Sequence, residues 1–133
     1  MPETTVVAVI HRLRPPCEIL LTKRKYPPFK DMFCLPGGHF NKYEKADDAI
    51  KREVKEETGL DYSGRFSGFI NEETYPDLSI HNIALIYSGR ASGELFVNEE
   101  VTEFKWVPWP EAVLMKLAFD HEKVLWLFQS TLS

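Results

Sequence analysis

Apolar positions along the chain fall into short runs punctuated by proline, glycine and charge. Val6 to Ile10 is an unbroken apolar run, the pattern of a strand buried on both faces. Arg14-Pro15-Pro16 predicts a turn, and Glu18 to Thr22 a partner strand that ends in Lys23-Arg24-Lys25. Tyr26-Pro27-Pro28-Phe29 reads as a loop, Phe33-Cys34-Leu35 as a short strand, and Pro36-Gly37-Gly38 as the turn that closes it. Residues 66–71 and 81–88 predict two strands around a Pro76-Asp77 turn. Residues 104–107 predict another, stopped by Pro108-Trp109-Pro110. A short helix is expected over 111–116 and a longer one over 119–131, with Val124, Leu125, Leu127 and Phe128 on its apolar side.

The clearest element is a helix over residues 45–58. It is rich in Ala, Glu, Lys and Arg, has no internal Pro or Gly, and runs into Gly59, a natural C-terminal stop. At roughly 100° per residue, with Glu53 at zero, Glu57 and Ile50 fall near 40° and 60°, and Ala49 and Glu56 near −40° and −60°. Lys51, Lys55 and Asp48 take the opposite, wet half. Three glutamates therefore share the inward half of an amphipathic helix. Like charges four residues apart weaken a helix by a few tenths of a kcal/mol, and part-buried carboxylates are pushed toward their protonated form. A bound cation removes both penalties. Oxygen donors without thiol or imidazole suit a hard ion, Mg²⁺ or Mn²⁺. An ordinary solvated amphipathic helix is the plainer explanation of the same charges.

The wider spacing argues against that plainer explanation. Gly38 is followed by five residues and Glu44, then by seven more and Arg52-Glu53-Val54, Glu56-Glu57, Gly59 and Leu60. This pattern resembles the signature of the Nudix hydrolases at every fixed position. The resemblance implies an α/β fold: an α/β/α sandwich around a central mixed sheet, with a catalytic strand-loop-helix. It implies metal ligation by Glu53, Glu56 and Glu57, with the Gly38 carbonyl as a further ligand and Glu44 as a supporting carboxylate. Glu44 in the first helical turn also complements the helix dipole. Arg52 would orient the acids. A further metal ligand or base is expected from Asn98-Glu99-Glu100-Val101-Thr102-Glu103, with Glu100 the first choice and Glu103 the reserve; an acidic surface loop is the alternative. Arg24 is expected to grip a phosphate with its planar fork. Tyr26, Phe29, Phe33 and Tyr75 are candidates to stack on a base, Phe33 and Tyr75 being preferred.

The implied reaction is metal-assisted hydrolysis of a nucleoside diphosphate linked to another group, with Glu56, Glu57 or Glu100 as proton acceptor. Two features favour ADP-ribose or a nucleotide sugar. Pro76 lies sixteen residues beyond Leu60, and Leu117-Ala118-Phe119-Asp120-His121 resembles the end of ADP-ribose-related Nudix domains. Against this, many ADP-ribose enzymes carry an N-terminal dimerising segment, whereas this chain begins almost at its first strand. Removal of pyrophosphate from normal or oxidised nucleoside triphosphates is the alternative. A non-enzymatic ligand sensor is a more distant one, since its usual DNA-binding module has no residues left to form it.

Composition narrows the field further. A chain of 133 residues and net charge −4 is expected to form one domain, 1–133, with no basic footprint for long nucleic acid. Cys17 and Cys34 have no metal-like spacing and read as reduced, buried or half-buried thiols. His81 reads as strand surface and His121 as helix cap or surface. The N-terminal apolar run is too short for a signal peptide or a membrane span. A cytoplasmic enzyme acting on a small nucleotide is expected, as monomer or homodimer.

Overall fold

A computed structural model describes residues 2–13, 16–71 and 75–128. Among these residues, seven strands form one mixed sheet: β1 (Glu3–Arg12), β2 (Glu18–Arg24), β3 (Phe33–Cys34), β4 (Gly37–His39), β5 (Asp61–Asn71), β6 (Asn82–Ser92) and β7 (Val101–Pro108). The main order is β3-β2-β1-β6-β5, with β4 paired to β1 and β7 to β2. β1 and β6 run parallel, and the other pairings are antiparallel.

The run Val6 to Ile10 is buried throughout because β1 has a helical layer on each face. Val6, Ala8 and Ile10 point to one core with Ala49, Ile50 and Val54 of α1 (Ala46–Thr58). Val7 and Val9 point to the other, with Ala112 of α2 (Trp109–Ala112) and Val124, Leu125 and Phe128 of α3 (His121–Phe128). This is the α/β/α sandwich expected from the sequence.

α1 begins one residue later than expected, with Lys45 as its N-cap, and Gly59 closes it in the left-handed conformation at φ 84°. Its buried stripe comprises Ala49, Ile50, Val54 and Thr58, which centres nearer 60° than zero on the helical wheel. Glu53 and Glu57 thus flank the core edge. Glu56 does not share the inward half: its side chain is 55% exposed.

Strands β5 and β6 extend well past the expected 66–71 and 81–88. Gly64 and Gly89 resemble breaks in the sequence but permit a close strand approach, since a Cβ on Gly89 would lie 2.1 Å from the Ser63 carbonyl oxygen. The same holds at the expected Gly37-Gly38 turn, which pairs with β1 as β4. A Cβ on Gly37 would sit 2.2 Å from the Val6 carbonyl oxygen. Pro76–Leu78 forms a 3-10 turn. α2 starts before residue 111, because Pro110 falls in its first turn, where a missing N–H costs no helical bond. The expected turn at residues 14 and 15 and the end of the expected helix beyond 128 lie outside the described residues.

His121 is not a surface cap. It is 4% exposed, and its Nδ1 accepts the Leu35 N–H at 3.0 Å. The apolar side of α3 draws its first residue under β3. His81 lies just before β6, exposed at the rim of a cleft.

Candidate active site

The Gly37-Gly38 strand, α1 and the loop before β7 meet at one end of the sheet. Arg52 organises the helical acids. Its Nε and Nη2 donate to the two Glu44 oxygens at 2.8 and 2.9 Å. Nη1 donates to Glu53 Oε1 at 2.8 Å and Glu56 Oε2 at 3.1 Å. Nη2 also donates to the His39 carbonyl at 2.8 Å. All five guanidinium N–H groups thus have acceptors, and this neighbourhood of Glu44 and Glu53 raises the Arg52 pKa. Glu44 also accepts the Asn41 N–H at 2.9 Å, and bonding to Arg52 holds its carboxyl below the usual value. The structure thus brings Glu44 to Arg52 rather than to the open cleft.

Glu53 packs directly beneath Gly38: a Cβ there would lie 2.6 to 2.7 Å from the Glu53 carboxylate. Only glycine leaves that carboxylate room against the backbone. Glu57 Oε2 accepts the Gly37 N–H at 3.2 Å. Burial, then the neighbouring Cys34 and Glu53, push the Glu57 carboxyl well above its ordinary value. Burial also raises Glu53, against the pull of Arg52. Glu100, from the loop before β7, adds negative charge to both.

Glu57, Glu100, Gly37, Gly38 and Arg24 line a cleft of about 480 Å³. A β-bulge between Lys23 and Arg24 in the β2–β7 pairing breaks the ladder where Arg24 enters it. The Arg24 Nε donates to the Pro28 carbonyl at 2.8 Å, and its guanidinium lies 4.9 Å from the Phe119 ring centre. Glu103, by contrast, pairs across from Lys23 in β7 and is exposed outside the cleft.

The preferred aromatic residues do not line this cleft. Phe33 packs against the α3-side core. Tyr75 donates its hydroxyl to Asp120 Oδ2 at 2.6 Å and stands edge-on to Phe29. The aromatic wall is Phe119, which sequence reasoning left without a role. Its φ of 56° is a left-handed conformation that a bulky side chain rarely adopts, and no sequence cue announces it. Cys34 and His121 were also missed as cleft residues. Burial alone would raise the Cys34 thiol, but His121, Thr22 and Arg24 outweigh it and lower its pKa.

A divalent cation fits these residues. Two of the three neighbouring carboxylates are raised by burial, and Gly38 brings backbone against one of them, so positive charge is the missing component. No three acidic, histidine or cysteine side chains among the described residues already converge on one point. Ions such as Mg²⁺ retain several waters and need few protein ligands.

The family model described as NUDIX domain matches residues 2–128, and the chain belongs to that family. It is 37% identical over 111 residues to a protein of Methanocaldococcus jannaschii called ADP-ribose pyrophosphatase; the match covers 81% of this chain and 63% of that protein. It is 32% identical over 89 residues to a nucleoside triphosphatase NudI of Escherichia fergusonii, covering 59% of this chain and 63% of the relative. The chain thus spans less than two thirds of the length of either relative. A solved MutT NUDIX hydrolase from Burkholderia pseudomallei superposes with a TM-score of 0.83 at 25% identity, covering 96% of this chain and 98% of that one.

Proposed function

We propose that the chain is a divalent-metal-dependent hydrolase that cleaves the diphosphate linkage of a nucleoside diphosphate joined to another group, of the ADP-ribose or nucleotide-sugar type. The observation that carries this reading is the set of Glu53, Glu57 and Glu100 around Gly38, two of them raised by burial beside a cleft that also holds Arg24. Glu53, Glu57 and the Gly38 carbonyl hold the cation, with Glu56 adding an oxygen from the outer side of α1. When bound, the cation, Mg²⁺ or Mn²⁺, supplies Lewis acidity to the phosphate oxygens. Arg52 and Glu44 keep the helical carboxylates oriented. Arg24 binds a phosphate, Phe119 offers a ring face to the base, and Glu100 takes the proton of the attacking water.

The ADP-ribose preference is supported by the name of the 37% identical relative. The name of the 32% identical relative favours a second reading, pyrophosphate release from nucleoside triphosphates. No helix among the described residues is long and apolar enough to cross a membrane. The test is a screen of ADP-ribose, nucleotide sugars, dinucleoside polyphosphates and nucleoside triphosphates with Mg²⁺, with product identification. AMP and ribose 5-phosphate from ADP-ribose support the first reading; pyrophosphate from triphosphates alone supports the second. No product from any of them refutes both.

A further inference from the structure

Glu100 and Glu57 belong to elements far apart in sequence, yet one side chain links their backbones. The Asn98 Nδ2 donates to the Glu57 carbonyl at 2.5 Å. Its Oδ1 accepts the N–H groups of Glu100 at 2.8 Å and Val101 at 3.1 Å. The network fixes the amide's orientation, because a flipped side chain would set its NH₂ against two backbone donors. A second bond supports the same junction: the Phe96 N–H donates to the Thr58 carbonyl at 3.0 Å. The last carbonyls of α1, which no helical N–H can satisfy, are thus the anchor for the loop. At its far side the Glu100 carbonyl accepts the Lys25 N–H at 3.1 Å, next to Arg24.

From this geometry we infer that Asn98 is the positioning residue that sets Glu100 against Glu57 across the cleft. Both backbone groups of Glu100 are held, one by Asn98 and one by the residue after Arg24. Without the Asn98 amide, the turn into β7 would lose two acceptor contacts and its side-chain bond to the helix together, leaving only the Phe96 bond at that junction. A short side chain with an acceptor and a donor at its tip meets all three demands, whereas Ala meets none and Asp only the two from the loop. The role Asn98 serves rests on the hydrolase reading proposed above.

The test uses the full chain as wild type, Asn98→Ala, Asn98→Asp, Glu100→Gln and the Asn98→Ala/Glu100→Gln double variant. Hydrogen exchange of the Glu100 and Val101 amides reports the loop. Mg²⁺-dependent hydrolysis of ADP-ribose reports the acid, and Mn²⁺ binding by calorimetry reports the cation site. Asn98→Ala should speed exchange at both amides and lower kcat by roughly tenfold or more, with KM nearly unchanged. Asn98→Asp should keep the amides protected yet not restore kcat, since its carboxylate repels the Glu57 carbonyl. The double variant should be no slower than Glu100→Gln alone, the signature of one residue acting through the other. Unchanged exchange in Asn98→Ala, a wild-type rate in Asn98→Ala or Glu100→Gln, or additive losses in the double variant would each overturn the inference. If the wild type cleaves neither ADP-ribose nor any other diphosphate compound, the hydrolase reading fails on its own. Exchange then decides the inference: faster exchange at the Glu100 and Val101 amides in Asn98→Ala supports it, and unchanged exchange sinks it.

Discussion

Arg52 grips Glu44 with a two-pronged bond, Nε to one carboxylate oxygen at 2.8 Å and Nη2 to the other at 2.9 Å. The remaining N–H groups reach Glu53, Glu56 and the His39 carbonyl. Lysine has three donors on one nitrogen and cannot reproduce this fork. Arg52→Lys should therefore fold with a circular dichroism spectrum like the wild type, yet lose roughly ten- to a hundredfold in kcat. A kcat within twofold of wild type would show that the acids orient themselves.

The two adjacent glycines separate stability from activity. A Cβ on Gly37 meets the backbone Val6 oxygen at 2.2 Å, which cannot yield without moving β1. Gly37→Ala should cost about 1–3 kcal/mol by overpacking, seen as a lower midpoint in urea. A Cβ on Gly38 meets first the tip of the Glu53 side chain, at 2.6 Å. Gly38→Ala should unfold near the wild-type midpoint but lose turnover and Mn²⁺ affinity, because the displaced carboxylate leaves its place. Equal stability losses in the two variants would contradict this assignment of contacts.

How much of this was legible in the sequence follows from what each residue depends on. The α1 acids were visible because a helix fixes side-chain direction from spacing alone, and Gly59 marked its end. Glu56 was misplaced inward because the periodicity gives relative angles, while the centre of the buried stripe depends on which strands the helix meets. β4 was hidden because a glycine pair reads equally as a turn or as backbone in close contact. The places of Phe119, Asn98 and His121 in the site were hidden for another reason. Their roles come from long-range contacts, such as Leu35 to His121 and Glu57 to Asn98, which no local pattern encodes.

In the function proposed above, Glu57 would serve activity at the expense of stability. Its buried carboxyl is raised well above the ordinary value, by burial first and then by Cys34 and Glu53. Glu57→Gln removes that charge while keeping the shape. Without metal at pH 8 the variant should be more stable than wild type, by about 1 kcal/mol or roughly 3–5 °C in Tm. Its turnover, and that of Glu53→Gln, should fall by about a hundredfold or more. A lower Tm for Glu57→Gln in metal-free buffer would mean that the carboxylate is favourably paired, contrary to the direction of its shift.

The same carboxyl sets the pH dependence of metal stabilisation. An acid whose pKa is raised on folding binds its proton more tightly in the folded than in the unfolded chain. Between the ordinary carboxylate value and the raised one, the folded state holds more protons, so stability falls as pH rises. Glu53 is raised too and acts in the same direction. Glu44, held below the usual value by Arg52, acts in a different window: its contribution is present above the ordinary value and is lost only as pH falls below it. In metal-free buffer, Tm should therefore decline from about pH 5 toward pH 8. Mg²⁺, which binds the ionised form, should raise Tm more at pH 8 than at pH 5, and most of that difference should vanish in Glu57→Gln. Thermal melts at pH 5, 6.5 and 8, with and without Mg²⁺, check this directly. An Mg²⁺ effect of equal size at all three pH values would place the ion away from Glu57.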